Sequence, residues 1–204
     1  NIYIAFFIIG ATSSFMDFLT VPIISLRTST YNLFLKNSKG KGVNVKETIK
    51  IVAFSSISWG IAYLATWISK WILTDIIFNG DFSLTKTALE QFGYRSLDKE
   101  LYYSAFEAIH RNLLYLRYNL IIVLIFALYL ILLNFAKNKT TSINIKGNFQ
   151  KVLPYLLILL MPIVWYIVLK SHSYRHNFFT YRALLLVLTA IPIIGYKLTE
   201  KKEE

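Results

Sequence analysis

The sequence predicts an all-α fold, an integral membrane helical bundle in one transmembrane domain over residues 1–204. Three observations predict it. Five apolar stretches are long enough to cross a bilayer. Hydrophobic residues make up 55% of the 204, and the mean hydropathy is +0.50. Lysines gather in alternate links between the apolar stretches. A helix needs about 20 apolar residues to cross roughly 30 Å of hydrocarbon. Open strands cannot satisfy their backbone in lipid, so the stretches are read as helices.

The first span is expected over residues 2–26. It carries one acid, Asp17, and a proline, Pro22. An acid inside a span is a candidate for function or for pairing with a nearby Lys or Arg. The second span is expected over residues 49–78, longer than a crossing needs, so tilt or projection is expected. Near its end Trp67 and Trp71 mark an interface beside Lys70 and Asp75, which read as anchoring groups. The third, fourth and fifth spans are expected over residues 118–136, 152–169 and 179–196.

Charge orients the chain. The first link holds Arg27, Lys36, Lys39, Lys41, Lys46 and Lys50 against a single acid, Glu47. Lys137, Lys139, Lys146 and Lys151 lie between spans three and four, and Lys197, Lys201 and Lys202 follow span five. Positive links face the cytoplasm. The chain is therefore expected in the plasma membrane, with Asn1 outside and the C-terminus inside. The net charge of +11 is absorbed by these links and leaves no basic face for nucleic acid. The segment Lys36–Gly42 has neither the spacing nor the preceding strand of a phosphate-binding loop. Membrane lipids are the expected partners, no cofactor is indicated, and the oligomeric state is not encoded legibly. Cysteine is absent, which excludes disulfide and thiolate chemistry. The chain starts at Asn1 with no charged leader, and is expected to be the C-terminal portion of a longer protein. Its wealth of Ile, Lys, Asn and Tyr points to an AT-rich bacterial genome.

Two links differ from the rest. Residues 79–117 balance Lys86, Arg95, Lys99, Arg111 and Arg117 with Asp81, Glu90, Asp98, Glu100 and Glu107. Within them Tyr102, Phe106, Ile109, Leu113 and Leu116 recur at helical spacing. This predicts an outer interfacial amphipathic helix over residues 97–116, lying on the membrane with Ser96 as its N-cap. Glu100, Tyr103, Glu107 and Arg111 fall on its other face, Glu107 and Arg111 as an i,i+4 pair. A shorter helix near residues 84–92 is expected to stop at Gly93.

The last link runs Lys170-Ser-His-Ser-Tyr-Arg-His-Asn-Phe-Phe-Thr-Tyr-Arg182. It is dense with groups suited to an anionic, ring-bearing substrate. Arg175 and Arg182 offer planar forks for phosphate. His172 and His176 can donate or shuttle a proton. Tyr174 and Tyr181 can stack on a sugar. These six residues are the candidate substrate-binding set, and Glu107, His172 and His176 are the candidates for catalysis. On a continued helix His172, Arg175, His176 and Phe179 would share a face. The two histidines have i,i+4 spacing, but no acid lies near them in sequence, so no metal site is expected.

Layout, amphipathic helix and the His172–Arg182 turn together resemble polytopic bacterial membrane glycosyltransferases of the GT-C superfamily. The resemblance is architectural and rests on no diagnostic motif. It implies an enzyme of cell-surface polysaccharide synthesis that receives a polyprenyl-phosphate-linked sugar at the extracytoplasmic face. The catalytic acids of that superfamily commonly lie in the first outer loop, so none is carried over to this chain. A multi-spanning transporter or polysaccharide flippase, and a structural subunit without catalysis, are the other readings. Transport predicts polar groups along a path through the bilayer.

Overall fold

The computed structural model describes residues 1–16, 22–37, 44–78, 84–96, 104–138 and 145–199. Every regular element among the described residues is helical. In chain order they are α1 (Ile2–Phe15), α2 (Ile23–Asn37), α3 (Val45–Ile77), α4 (Leu84–Ser96), α5 (Ala105–Asn138) and α6 (Ile145–Val168). Two short helices follow, α7 (Lys170–Arg175) and α8 (Asn177–Thr180), then a 3₁₀ turn (Tyr181–Leu184) and α9 (Leu185–Leu198). Among the described residues four segments are long and apolar enough to cross a membrane: Val45–Ile77, Ala105–Ala136, Asn148–Val168 and Asn177–Leu198. Their outward faces are apolar. On α5, Ile122 and Ile125 are 65% and 64% exposed, and an apolar surface of such extent is suited to lipid or to another protein surface.

Ring and hydrogen-bond contacts set the directions. Tyr115 stacks on Tyr181 at 5.3 Å, and at the other end Asn134 donates to the Thr199 hydroxyl at 2.7 Å. Helix α5 therefore runs alongside the segment from α8 through α9, in the same direction. Helix α6 runs against both. The Tyr166 hydroxyl donates to Thr180 O at 2.8 Å, while Asn148 near the start of α6 donates to Leu198 O at 3.3 Å.

The expected first span is not one helix. α1 ends at Phe15 and α2 begins at Ile23. Pro22 has no N–H to continue a helix arriving from before it and disfavours the helical region for the residue it follows. It opens α2 instead, its carbonyl accepting from the Ser25 N–H at 3.1 Å and the Ser25 hydroxyl at 2.9 Å. At 14 residues α1 is about 21 Å long, short of a crossing.

Successive spans were expected to be antiparallel, but α1 and α3 run the same way. Tyr3 lies beside Phe54 and accepts from Ser58, whereas Ser14 and Phe15 accept from Lys70 Nζ at 2.6 and 3.2 Å. Gly10 makes the pairing close, since a Cβ there would stand 2.2 Å from the Trp59 carbonyl oxygen. Small residues permit such backbone approach between membrane helices. α2 then returns along α6, with Arg27 at Ile158 and Tyr31 at Tyr155. The expectation that Asn1 and the C-terminus face opposite sides rested on one crossing over residues 2–26, which α1 and α2 do not form.

Other boundaries also differ. α4 continues through Gly93 to Ser96, so Ser96 ends a helix rather than capping the next. From Ala105 onward the expected interfacial helix is continuous with the third span, giving one helix of 34 residues. Asp17, the Lys39–Gly42 part of the first link, and residues 97–103 with Glu100, Tyr102 and Tyr103 lie outside the described residues.

Arg27 was counted among the basic residues of a link. It is instead fully buried. Pro162 lacks the N–H that would bond to the carbonyl four residues earlier, which is Ile158. Arg27 Nε donates to that carbonyl at 3.2 Å. Its two terminal nitrogens are buried and have no hydrogen-bond partner among the described residues.

Candidate functional site

The His/Arg segment is built on a buried polar hub. Helix α6 stops at Val168, and the backbone leaves helical geometry at Leu169 and again at His176. These breaks free carbonyls that side chains then satisfy. Asn112 of α5 donates to Ser173 O at 3.0 Å and to Ala108 O at 2.8 Å, and accepts from the Thr180 hydroxyl at 2.8 Å. Asn112, Ser173, Thr180 and Tyr166 are all fully buried. These bonds hold the segment in one geometry, while the Ser173 hydroxyl is buried without a hydrogen-bond partner among the described residues. Asn112 was not picked out from sequence. Its signal was an amide on the inner side of an apolar helix, one turn after Ala108.

The breaks divide the expected common face. His172 and His176 remain neighbours, with ring centroids 4.9 Å apart. Arg175 turns towards α4, where its guanidinium lies 4.6 Å over the Tyr94 ring and donates to the Tyr94 hydroxyl. Phe179 carries Arg182, whose guanidinium lies 5.4 Å from its ring centre. Phe179 also touches Phe178, which in turn contacts His176. Tyr181 is stacked on Tyr115 of α5. Tyr174 lies under Arg111 at 4.0 Å. Guanidinium groups on aromatic faces keep their N–H edges available to a planar anion. Among the described residues neither Arg111 nor Arg182 has an ion pair.

Glu107 has another task. It is the third residue of a capping box at the start of α5. Its carboxylate accepts from the Ser104 N–H and hydroxyl, both at 2.9 Å, while the Ser104 hydroxyl accepts from the Glu107 N–H at 3.1 Å. The Ser104 backbone bond, then the Ser104 hydroxyl, hold this exposed carboxyl below the usual range, and Arg111 adds a smaller effect in the same direction. A depressed, engaged carboxylate outside the apolar stretch is a poor general base. The Ser104-Ala-Phe-Glu107 pattern is itself a sequence signature of a helix start. Lys70, read as an anchor, is likewise a cap, bonding the last carbonyls of α1.

Beside the segment lies a cleft of about 270 Å³ between α3, α4, α6 and α7. Trp59, Tyr63 and Trp67 form one wall, Trp165 and Val168 another, and Phe92 and Arg95 of α4 close it together with His172. Trp59 and Tyr63 stack at 5.1 Å, and Ser25 holds the Trp59 indole N–H at 3.0 Å. Of the sequence candidates, His172 lines this cleft, while Arg175 is committed to Tyr94.

No protein-family model matches the chain, and no curated protein or solved structure shows significant similarity to it.

Proposed function

We propose that this chain is the membrane portion of a glycosyltransferase that receives a polyprenyl-phosphate-linked sugar at the extracytoplasmic face, in cell-surface polysaccharide synthesis. The observation that carries the reading is the set of arginines laid on rings around the histidine pair. Arg111 on Tyr174 and Arg182 on Phe179 lack ion pairs among the described residues, and His172 and His176 are in contact. Two guanidinium edges suit a phosphate or diphosphate. In this reading His176 exchanges a proton with the leaving phosphate or the acceptor hydroxyl. Tyr174, Arg175 and Tyr181 hold the segment to α4 and α5.

The topology belongs to the same proposal. Links rich in lysine lie in the cytoplasm, so the α7–α8 end faces outward. α3, α5, α6 and the α8–α9 segment make four crossings. α1 and α2 form a hairpin that enters and leaves from the lysine-rich side, supported by its burial against α3 and α6. The first turns of α5 project beyond the bilayer as the outer amphipathic segment.

The test is sugar transfer in proteoliposomes from a polyprenyl-phosphate-linked donor. Arg182→Ala, Arg111→Ala and His176→Ala are each expected to lower transfer by on the order of a hundredfold, in line with loss of one electrostatic contact to a developing anion. Equal transfer by all three variants at equal protein level leaves a structural role for the segment.

One observation favours transport instead. The terminal nitrogens of Arg27 and the hydroxyls of Ser14 and Ser55 are buried polar groups without hydrogen-bond partners among the described residues. Intramembrane polar groups mark substrate paths. Loss of lipid or solute flux in Arg27→Met, with no transfer activity in the native chain, selects that reading.

A further inference from the structure

The cleft beside the histidines has the make-up of a lipid site. Its walls are aromatic and aliphatic, and its rim residues Leu64 and Val168 are 53% and 48% exposed on segments long enough to cross a membrane. The mouth therefore faces hydrocarbon rather than water. Its volume of about 270 Å³ sits just under the ~300–1,000 Å³ typical of small-molecule pockets, so it has room for part of one acyl chain and for no second.

Arg95, His172 and Trp165 bring polar groups to the cleft, and no carboxylate of the described residues lines it. Arg95 is half-buried there and has no ion pair among the described residues. The indole N–H of Trp165 is buried without a hydrogen-bond partner among the described residues. Both groups can only donate. One guanidinium offers a single fixed positive charge, which matches one phosphodiester.

We propose that the cleft binds an anionic glycerophospholipid from the surrounding bilayer, with one acyl chain along Trp59, Tyr63 and Trp165 and the phosphate on Arg95. The lipid would pack α4 against α3 and α6, and so support the face of α4 whose Tyr94 holds Arg175. This does not depend on sugar transfer, and either reading can fail while the other stands.

The structure supplies a clean steric probe. Gly60 lines the cleft, and a Cβ there would meet nothing within 4 Å. Gly60→Phe fills the cleft without displacing backbone. The full chain is reconstituted in phosphatidylcholine nanodiscs, and quenching of tryptophan fluorescence is measured with phosphatidylglycerol brominated on its acyl chains. Three of the four tryptophans line the cleft. Brominated phosphatidylglycerol is expected to quench more than brominated phosphatidylcholine, saturating near one lipid per chain. Gly60→Phe should abolish the excess. Arg95→Gln should bring the preference for phosphatidylglycerol down by roughly tenfold, as loss of a charge-assisted hydrogen bond does, and Gly60→Ala should behave as the native protein. Equal quenching by both lipids in the native protein overturns the proposal, as does undiminished excess quenching in Gly60→Phe. Displacement of phosphatidylglycerol by a stoichiometric amount of a long-chain alkyl phosphate also overturns it, because the cleft would then select a lipid monophosphate.

Discussion

Arg27 shows how a single side chain can complete a helix to which it does not belong. Pro162 leaves the Ile158 carbonyl without a helical donor, and Arg27 Nε supplies one from α2. An unmade hydrogen bond on a buried carbonyl costs about 1–3 kcal/mol. Pro162→Ala would restore the helical donor. It should therefore be more favourable in an Arg27→Met background than in the native chain, by about 1 kcal/mol in a double-mutant cycle. Thermal unfolding in detergent measures the four corners, and additive effects would separate Arg27 from the Pro162 break. Glu107 makes a second prediction, this one in pH. Its carboxyl is held below the ordinary value by Ser104. A depressed folded-state value means that the cap contributes fully above the ordinary carboxylate range and is lost as pH falls through the depressed value. The Ser104 amide resonance should follow that titration below pH 4.5, and Glu107→Gln should remove it.

At the scale of elements, close approach decides what each helix pairs with. Gly10 and Gly195 are both contact glycines, but they face different things. A Cβ at Gly10 meets the Trp59 backbone oxygen at 2.2 Å, whereas at Gly195 it meets the end of the Ile131 side chain at 3.0 Å. Backbone in a helix cannot step aside, and a side-chain terminus can. Gly10→Ala should thus cost about 1–3 kcal/mol, the range for overpacking, and Gly195→Ala should be close to neutral. Unfolding of the two variants side by side tests whether α1 sits on α3 in the direction given by Lys70 and Ser58.

For the whole molecule the testable quantity is sidedness. The chain contains no cysteine, so single cysteines report without background. Phe178 is 47% exposed at the α7–α8 end. Phe178→Cys should react with a membrane-impermeant maleimide in intact cells, and Lys41→Cys only after permeabilisation. The reverse pattern would turn the bundle over and remove the extracytoplasmic sugar-lipid reading.

Helices of crossing length were legible from residue order, because an apolar run is a local property and a bilayer constrains each helix separately. The second to fifth apolar stretches accordingly fall within α3, α5, α6 and the α8–α9 segment. The segment His172–Arg182, proposed to carry the chemistry, stood out in the sequence as an excess of His, Arg and Tyr over what anchoring needs. Tertiary structure alone decided the rest. The parallel seat of α1 on α3, the burial of Arg27 and the Asn112 hub each depend on partners far away in the chain. Which ring each arginine lies on was equally undetermined, since guanidinium–aromatic contacts join residues such as Tyr94 and Arg175 that only packing brings together. Helical periodicity relates neighbours three or four residues apart, and contacts between helices lie beyond its reach.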